Sequence, residues 1–204
     1  MTAPLGWLAV KGKPGDAVFA ELDLVAHAET STHAKRGFAI ALPSGWFVVV
    51  TRFASPLLTE DTLLPLSKGC QVIGVQYDPS STSFATCYVE GEVAWHVEHG
   101  ASESDVRILV TSGTLPSAFD VLHARFEMEQ DLADEEGHDV DCFLALPVEL
   151  AETVTGFEYD LAASAYGLTA FDGWKLGQEA IPRAASRRLR RRMARAARPW
   201  WKFW

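Results

Sequence analysis

The chain has 204 residues, 48% hydrophobic and 22% charged, a composition that builds a substantial core and excludes a disordered chain. All 27 acids and nine of the 18 cations lie in residues 1–182, a balance of −18, whereas residues 183–204 hold eight arginines, one lysine and no acid, a balance of +9. The acidic body disfavours nucleic acid and anionic membrane as its own partners, and the basic tail has the opposite preference.

The first strand is expected at Trp7–Val10, closed by Lys11-Gly12-Lys13-Pro14-Gly15. Asp16 is placed to cap a helix presenting Val18, Phe19 and Leu22. His27 to Lys35 reads as a polar surface loop. Phe38–Leu42 and Trp46–Thr51, joined by Pro43-Ser44-Gly45, form a hairpin. Glu60 and Asp61 after Thr59 favour a helix start, and Pro65 keeps that helix short.

A meander follows over Gly69 to Gly100. Val72–Tyr77 is apolar and β-branched, Asp78-Pro79-Ser80-Ser81 is a turn, and Phe84–Val89 is the next strand. Glu90-Gly91-Glu92 makes a tight reversal, Gly supplying positive φ. In the third strand Val93, Trp95 and Val97 alternate with Ala94, His96 and Glu98, so the first set faces a core and the second a wetter side. Val106–Thr111 is a further strand. A helix runs from Pro116 to about Leu132 on the period of Val121, Leu122, Arg125, Phe126 and Met128. Asp134 to Asp139 is a solvated break, Val140–Leu146 a last strand, and Val148–Val154 a short helix ended by Gly156. Phe157 to Leu176 has aromatics without a period and wraps over the body.

Tight turns between consecutive strands imply antiparallel pairing, and the helices come singly. The expected fold is α+β: a mainly antiparallel twisted sheet of about six to seven strands with helices packed on one face. Residues 1–176 form one domain, and 177–204 a basic amphipathic tail.

Local signs of chemistry are few. His96 and His99 are three apart, a spacing that shares a face on a helix but sends them to opposite faces of a strand, so no metal site is expected there. The acids of Asp134 to Asp141 do not follow the calcium-loop spacing and read as a solvated charge run. Cys70, Cys87 and Cys142 are odd in number and lack paired spacing. They suit a reducing compartment and act as small apolar residues. No serine sits in a G-x-S-x-G frame and no glycine run cradles phosphate, so no catalytic residue, cofactor or metal is assigned. Tyr88, His96 and Glu98 are the candidate surface site on the outer sheet face. No basic segment followed by a long apolar run opens the chain, and no apolar stretch of about 18 residues occurs.

The tail carries the strongest signal. Ala185, Leu189, Met193 and Ala196 recur at helical spacing, and Arg187, Arg188, Arg190, Arg191, Arg192, Arg195 and Arg198 cover the rest. Pro199 stops the helix before Trp200, Trp201, Phe203 and Trp204. Arginine with tryptophan suits an anionic lipid interface, a protein partner or, less well, nucleic acid. It also suits folding back on the acidic body, or a tail that is merely disordered and solvating.

The order WLAVKG, GWFVVV, LSKGCQVIGVQYD, GEVAWHVEHG resembles a group of uncharacterised bacterial α+β proteins and is distantly similar to bacterial immunity-type proteins, small cytoplasmic partners of secreted toxins. The likeness covers roughly Trp7 to Gly156, rests on structural tryptophans and glycines, and brings no catalytic residue with it. It implies a cytoplasmic bacterial protein that works by binding. Three functions are therefore carried forward: a non-catalytic interaction module with a basic toxin as partner, a peripheral membrane protein held by its tail, and an enzyme with a site around Tyr88 and His96.

Overall fold

The computed structural model describes residues 4–26, 37–51, 54–100, 106–159 and 169–173. The expected loop at 27–35 and the basic tail at 177–204 lie outside the described residues. In chain order the elements are β1 (Leu5–Lys11), α1 (Gly15–Glu21), β2 (Leu24–Ala26), β3 (Phe38–Ala41), β4 (Trp46–Thr51), a 3₁₀ turn (Pro56–Leu58), α2 (Glu60–Leu66), β5 (Gln71–Asp78), β6 (Thr82–Val89), β7 (Glu92–Gly100), β8 (Val110–Gly113), α3 (Ala118–Glu136), a second 3₁₀ turn (Phe143–Ala145), α4 (Leu146–Thr155) and β9 (Thr169–Gly173). The fold is α+β.

Seven strands make an open antiparallel sheet in the order β3-β4-β1-β5-β6-β7-β8, and β9 and then β2 extend it beyond β3. The apolar β1 takes an inner place between β4 and β5, with Trp7 opposite Val50 on one side and Val75 on the other. Alternation then assigns the faces. Trp7, Ala9, Val48, Val50, Ile73, Val75, Ala85, Cys87, Trp95 and Val97 share the core with Phe126, Phe143, Leu146, Leu150 and Phe157. The expectation of helices on one face holds for α3 and α4, which cover this side. The shorter α1 and α2 lie on the other: Phe19 meets Phe47 edge-on at 5.7 Å, and Leu63 fills the space where Gly74 has no side chain.

The turns follow their chemistry. Asp78 Oδ1 accepts from Ser80 N at 3.0 Å, and Ser81 N donates to Asp78 O at 3.1 Å. Glu90 and Gly91 have φ of 53° and 81°, the two positive angles of a right-twisting hairpin turn. That turn is tied to the end of α2, because Glu90 N donates to Ser67 O and Gly91 N to Ser67 Oγ.

Five local expectations are corrected. Pro14, not Asp16, is the cap residue of α1, and Asp16 lies in its first turn. The strand expected at Val106–Thr111 is Val110–Gly113, because Arg107 is drawn to Asp131 and Asp134 at 2.7 Å each. Val140–Leu146 is not a strand. Asp141 Oδ1 accepts from Leu144 N at 3.1 Å and winds the chain into the second 3₁₀ turn, which runs into α4. Helix α3 continues to Glu136, where Gly137 at φ 70° and a bond from His138 N to Ala133 O close it. Val93 leaves the core face: a bulge puts the extra residue Ala94 between the Cys87–Trp95 and Tyr88–Val93 pairs, and Val93 is 46% exposed.

Gly113 holds β8 against that bulge. Its φ is 76°, and a Cβ there would lie 2.1 Å from Ala94 O. Gly113→Ala is expected to cost about 1–3 kcal/mol and to free β8 from β7. Hydrogen exchange reads this as lost protection confined to residues 110–114, and unchanged protection would refute it.

Candidate functional site

The register of β6 and β7 places Phe84, Thr86, Tyr88, His96 and Glu98 on the sheet face opposite α3 and α4. His96 lies across from Thr86, and the Thr86 hydroxyl meets His96 Nδ1 at 2.7 Å. On its other side His96 Nε2 lies 3.3 Å from Glu98 Oε2. An imidazole protonated on Nε2 donates to Glu98 and accepts from Thr86, which satisfies both contacts. The hydrogen bond from His96 holds the Glu98 carboxyl below its ordinary range, against the opposing effect of burial. Phe84 flanks the imidazole, ring centroids 6.4 Å apart.

Hydroxyl, imidazole and carboxylate in line are the elements of nucleophile activation. The setting lacks the rest. Thr86 sits mid-strand in β6, which is paired on both sides, so its neighbouring backbone N–H groups are used in the ladders rather than aimed at a developing oxyanion. Tyr88, expected on the same open patch, is buried at 6% because α2 packs over that end of the strand. Burial, and then the charge of Glu60, push its phenol up. The open patch is therefore Phe84, His96 and Glu98, continued on the edge strand by Val110 and Ser112, which pair with Glu98 and His96.

A second polar cluster, not foreseen from the sequence, lies inside the core. His99 is fully buried on the opposite face, as strand alternation requires. Its Nδ1 lies 3.0 Å from Ile108 O and its Nε2 2.8 Å from Asp141 Oδ2. The carbonyl only accepts, so Nδ1 carries a proton, and a second proton on Nε2, the form that a carboxylate at this distance favours, makes His99 an imidazolium. Burial alone pulls its pKa down. The hydrogen bonds to Asp141 and Ile108 and the charge of Asp141 outweigh burial, and the net shift is upward. Ser83, opposite His99, is buried with no hydrogen-bond partner for Oγ. Both His99 nitrogens are engaged, so His99 offers Ser83 no base. The cluster is a pin between β7 and the start of the second 3₁₀ turn. Its sequence signal was the continuation of the Trp95, Val97 alternation to His99, together with an acid beside an apolar segment.

A groove of about 640 Å³ is lined by Ala145, Glu149, Glu152, Thr153, Gly156, Glu158 and Tyr159, with three carboxylates on one side of α4 and its end. Glu149 pairs with Arg125, and Glu152 accepts from Tyr159 N at 3.3 Å. The thiols are not activated: burial is the first cause raising each of Cys70, Cys87 and Cys142. Among the described residues no three His, Cys, Asp or Glu side chains gather as metal ligands, and no helix is long and apolar enough to cross a membrane. Arg187, Arg188, Arg190, Arg191, Arg192, Arg195, Arg198, Trp200, Trp201, Phe203 and Trp204 lie outside the described residues. No family model, curated protein or solved structure matches the chain.

Proposed function

We propose that the protein is a non-catalytic cytoplasmic interaction module of the immunity or inhibitor type, acting on a basic bacterial protein. The observation that carries this reading is the acid excess of the body, −18 over residues 1–182, of which Glu149, Glu152 and Glu158 line a groove. Opposite charge speeds encounter and rejects acidic partners. The polar groups of His96 are satisfied within the sheet, which favours recognition over chemistry at that face. The test is affinity isolation of the full chain from its source cells. A single stoichiometric basic protein, released as salt rises, is expected. Recovery of no such protein refutes the reading.

A second reading rests on the Arg and Trp of residues 187–204, which suit an anionic lipid surface. Flotation with phosphatidylserine vesicles tests it: the full chain floats and a chain ending at 182 does not. A full chain that stays at the bottom ends this alternative.

A further inference from the structure

Helix α3 has two apolar faces. Phe126 and Ala133 are buried toward α4 and the sheet, with Gln130 between them. On the far side Val121, Met128 and Leu132 are 73%, 73% and 56% exposed, and Ala124 is exposed between them. At 3.6 residues per turn these four positions fall within an arc of about 80°, a continuous stripe three turns long. Scattered exposed apolar residues need no explanation, but a stripe along a solvent-facing helix does.

Charge decides what covers it. The helix carries seven acids and one arginine, and that arginine, Arg125, is held by Glu129 at 3.3 Å and by Glu149. Asp120, Glu127 and Asp131 run along one border of the stripe, with Asp131 shared with Arg107, and Arg125, Glu129 and Glu136 run along the other, where the acids outnumber the single cation. A second copy would bring acidic borders against each other, which opposes self-association. A cationic helix with apolar residues at i, i+4 and i+7 meets both the stripe and its borders.

We propose that the outward face of α3, centred on Met128, is the docking surface for a basic amphipathic helix of the partner. The inference rests on the interaction reading above and adds the surface and the shape of what it takes. The stripe supplies the apolar contact, and the acidic borders orient the incoming helix and set its salt dependence.

The test uses the full chain, labelled with ¹⁵N, and two synthetic lysine–leucine peptides of equal composition. One places its leucines on one helical face and the other disperses them. The amphipathic peptide is expected to bind at least about tenfold more tightly, as burial of two or three aliphatic side chains would give. Amide shifts centre on residues 121–132. The double variant Met128→Gln, Leu132→Gln changes only exposed positions, so folding is preserved, and it brings the amphipathic peptide to the level of the dispersed one. Equal binding of the two peptides, or shifts centred on the groove beside Glu149 and Glu158, overturns the α3 surface and leaves the basic-partner reading standing. Binding of neither peptide at low salt, by the full chain and by a chain ending at 182, overturns both, and binding by the shortened chain alone overturns the partner helix in favour of the chain's own residues 183–204 as occupant. Concentration-dependent dimerisation that the double variant abolishes overturns the proposal in favour of a second copy.

Discussion

Phe157→Ala is expected to lower the unfolding free energy by about 3–5 kcal/mol, the cost of emptying a fully enclosed aromatic site. Phe157 is completely buried, and its ring meets Trp7 edge-on with centroids 5.1 Å apart and planes at 63°. Trp7 is itself fully buried on β1, the inner strand that joins the two hairpin systems. The backbone at this point cannot shift to close the gap. Gly156 ends α4 at φ 73°, and Phe157 N donates to Thr155 Oγ1 at 3.2 Å. That hydroxyl bonds back to Ala151 O at 2.8 Å, and Ser44 Oγ donates to Thr155 O at 2.7 Å. Each bond holds the chain end where the full-sized ring needs it. Urea unfolding followed by tryptophan fluorescence measures the loss. Phe157→Leu keeps much of the volume and is expected to cost about half as much. A loss under about 1 kcal/mol for the alanine variant would show that the site collapses and that Phe157 does not close the core.

The position of Phe157 also shows what the sequence could carry. Strands β1, β4, β5, β6 and β7 were legible because β-branched runs stand between strong turn residues such as Asp78-Pro79 and Glu90-Gly91. Helix α3 was legible from its period, and its end was missed by four residues because Asp134, Glu135 and Glu136 look like solvent loop when the bonds of Asp134 to Arg107 and Gln130 are not visible. Phe157 and β9 carry no period of their own, since a single buried ring and a short strand take their places from tertiary partners. The segment from Val140 to Leu146 alternates well enough for a strand, and a carboxylate–amide bond from Leu144 to Asp141 decides otherwise. At the candidate site, alternation correctly separated His96 from His99. It could not say that a helix covers Tyr88, nor that Asp141, thirteen residues beyond Met128 in a run of acids, turns inward to meet His99. Such long-range polar pairing leaves only the residue types in the sequence.

That pairing yields the second large effect. Asp141→Ala is expected to cost about 2–4 kcal/mol, because it strips a buried imidazole of its acceptor and removes the bond to Leu144 N in one change. Asp141 is only partly enclosed, its side chain 21% exposed against 0% for His99, so water offsets part of the loss. Asp141→Asn is expected to cost less, about 1–2 kcal/mol, since the amide oxygen still accepts from Leu144 N while the amide N–H replaces the acceptor at Nε2 and pairs there only with a neutral His99. The two variants separate the Leu144 bond from the charge pairing with His99. The pH dependence follows from the raised pKa of His99. A group that binds its proton more tightly when folded contributes its full stabilisation below the unfolded value, near 6.5, and loses it as pH rises through the folded value. The stability of the wild type relative to Asp141→Asn should therefore be largest in mildly acidic solution and should shrink from near 6.5 upward. Thermal unfolding of both chains across that range measures the difference. Were His99 neutral in the core with a depressed pKa, the advantage would shrink toward acid instead, and that slope would refute the imidazolium assignment. With the assigned sign, the pin between β7 and the second 3₁₀ turn is strongest where His99 is charged, and the segment carrying Asp141 into α4 is the first to loosen as the proton leaves.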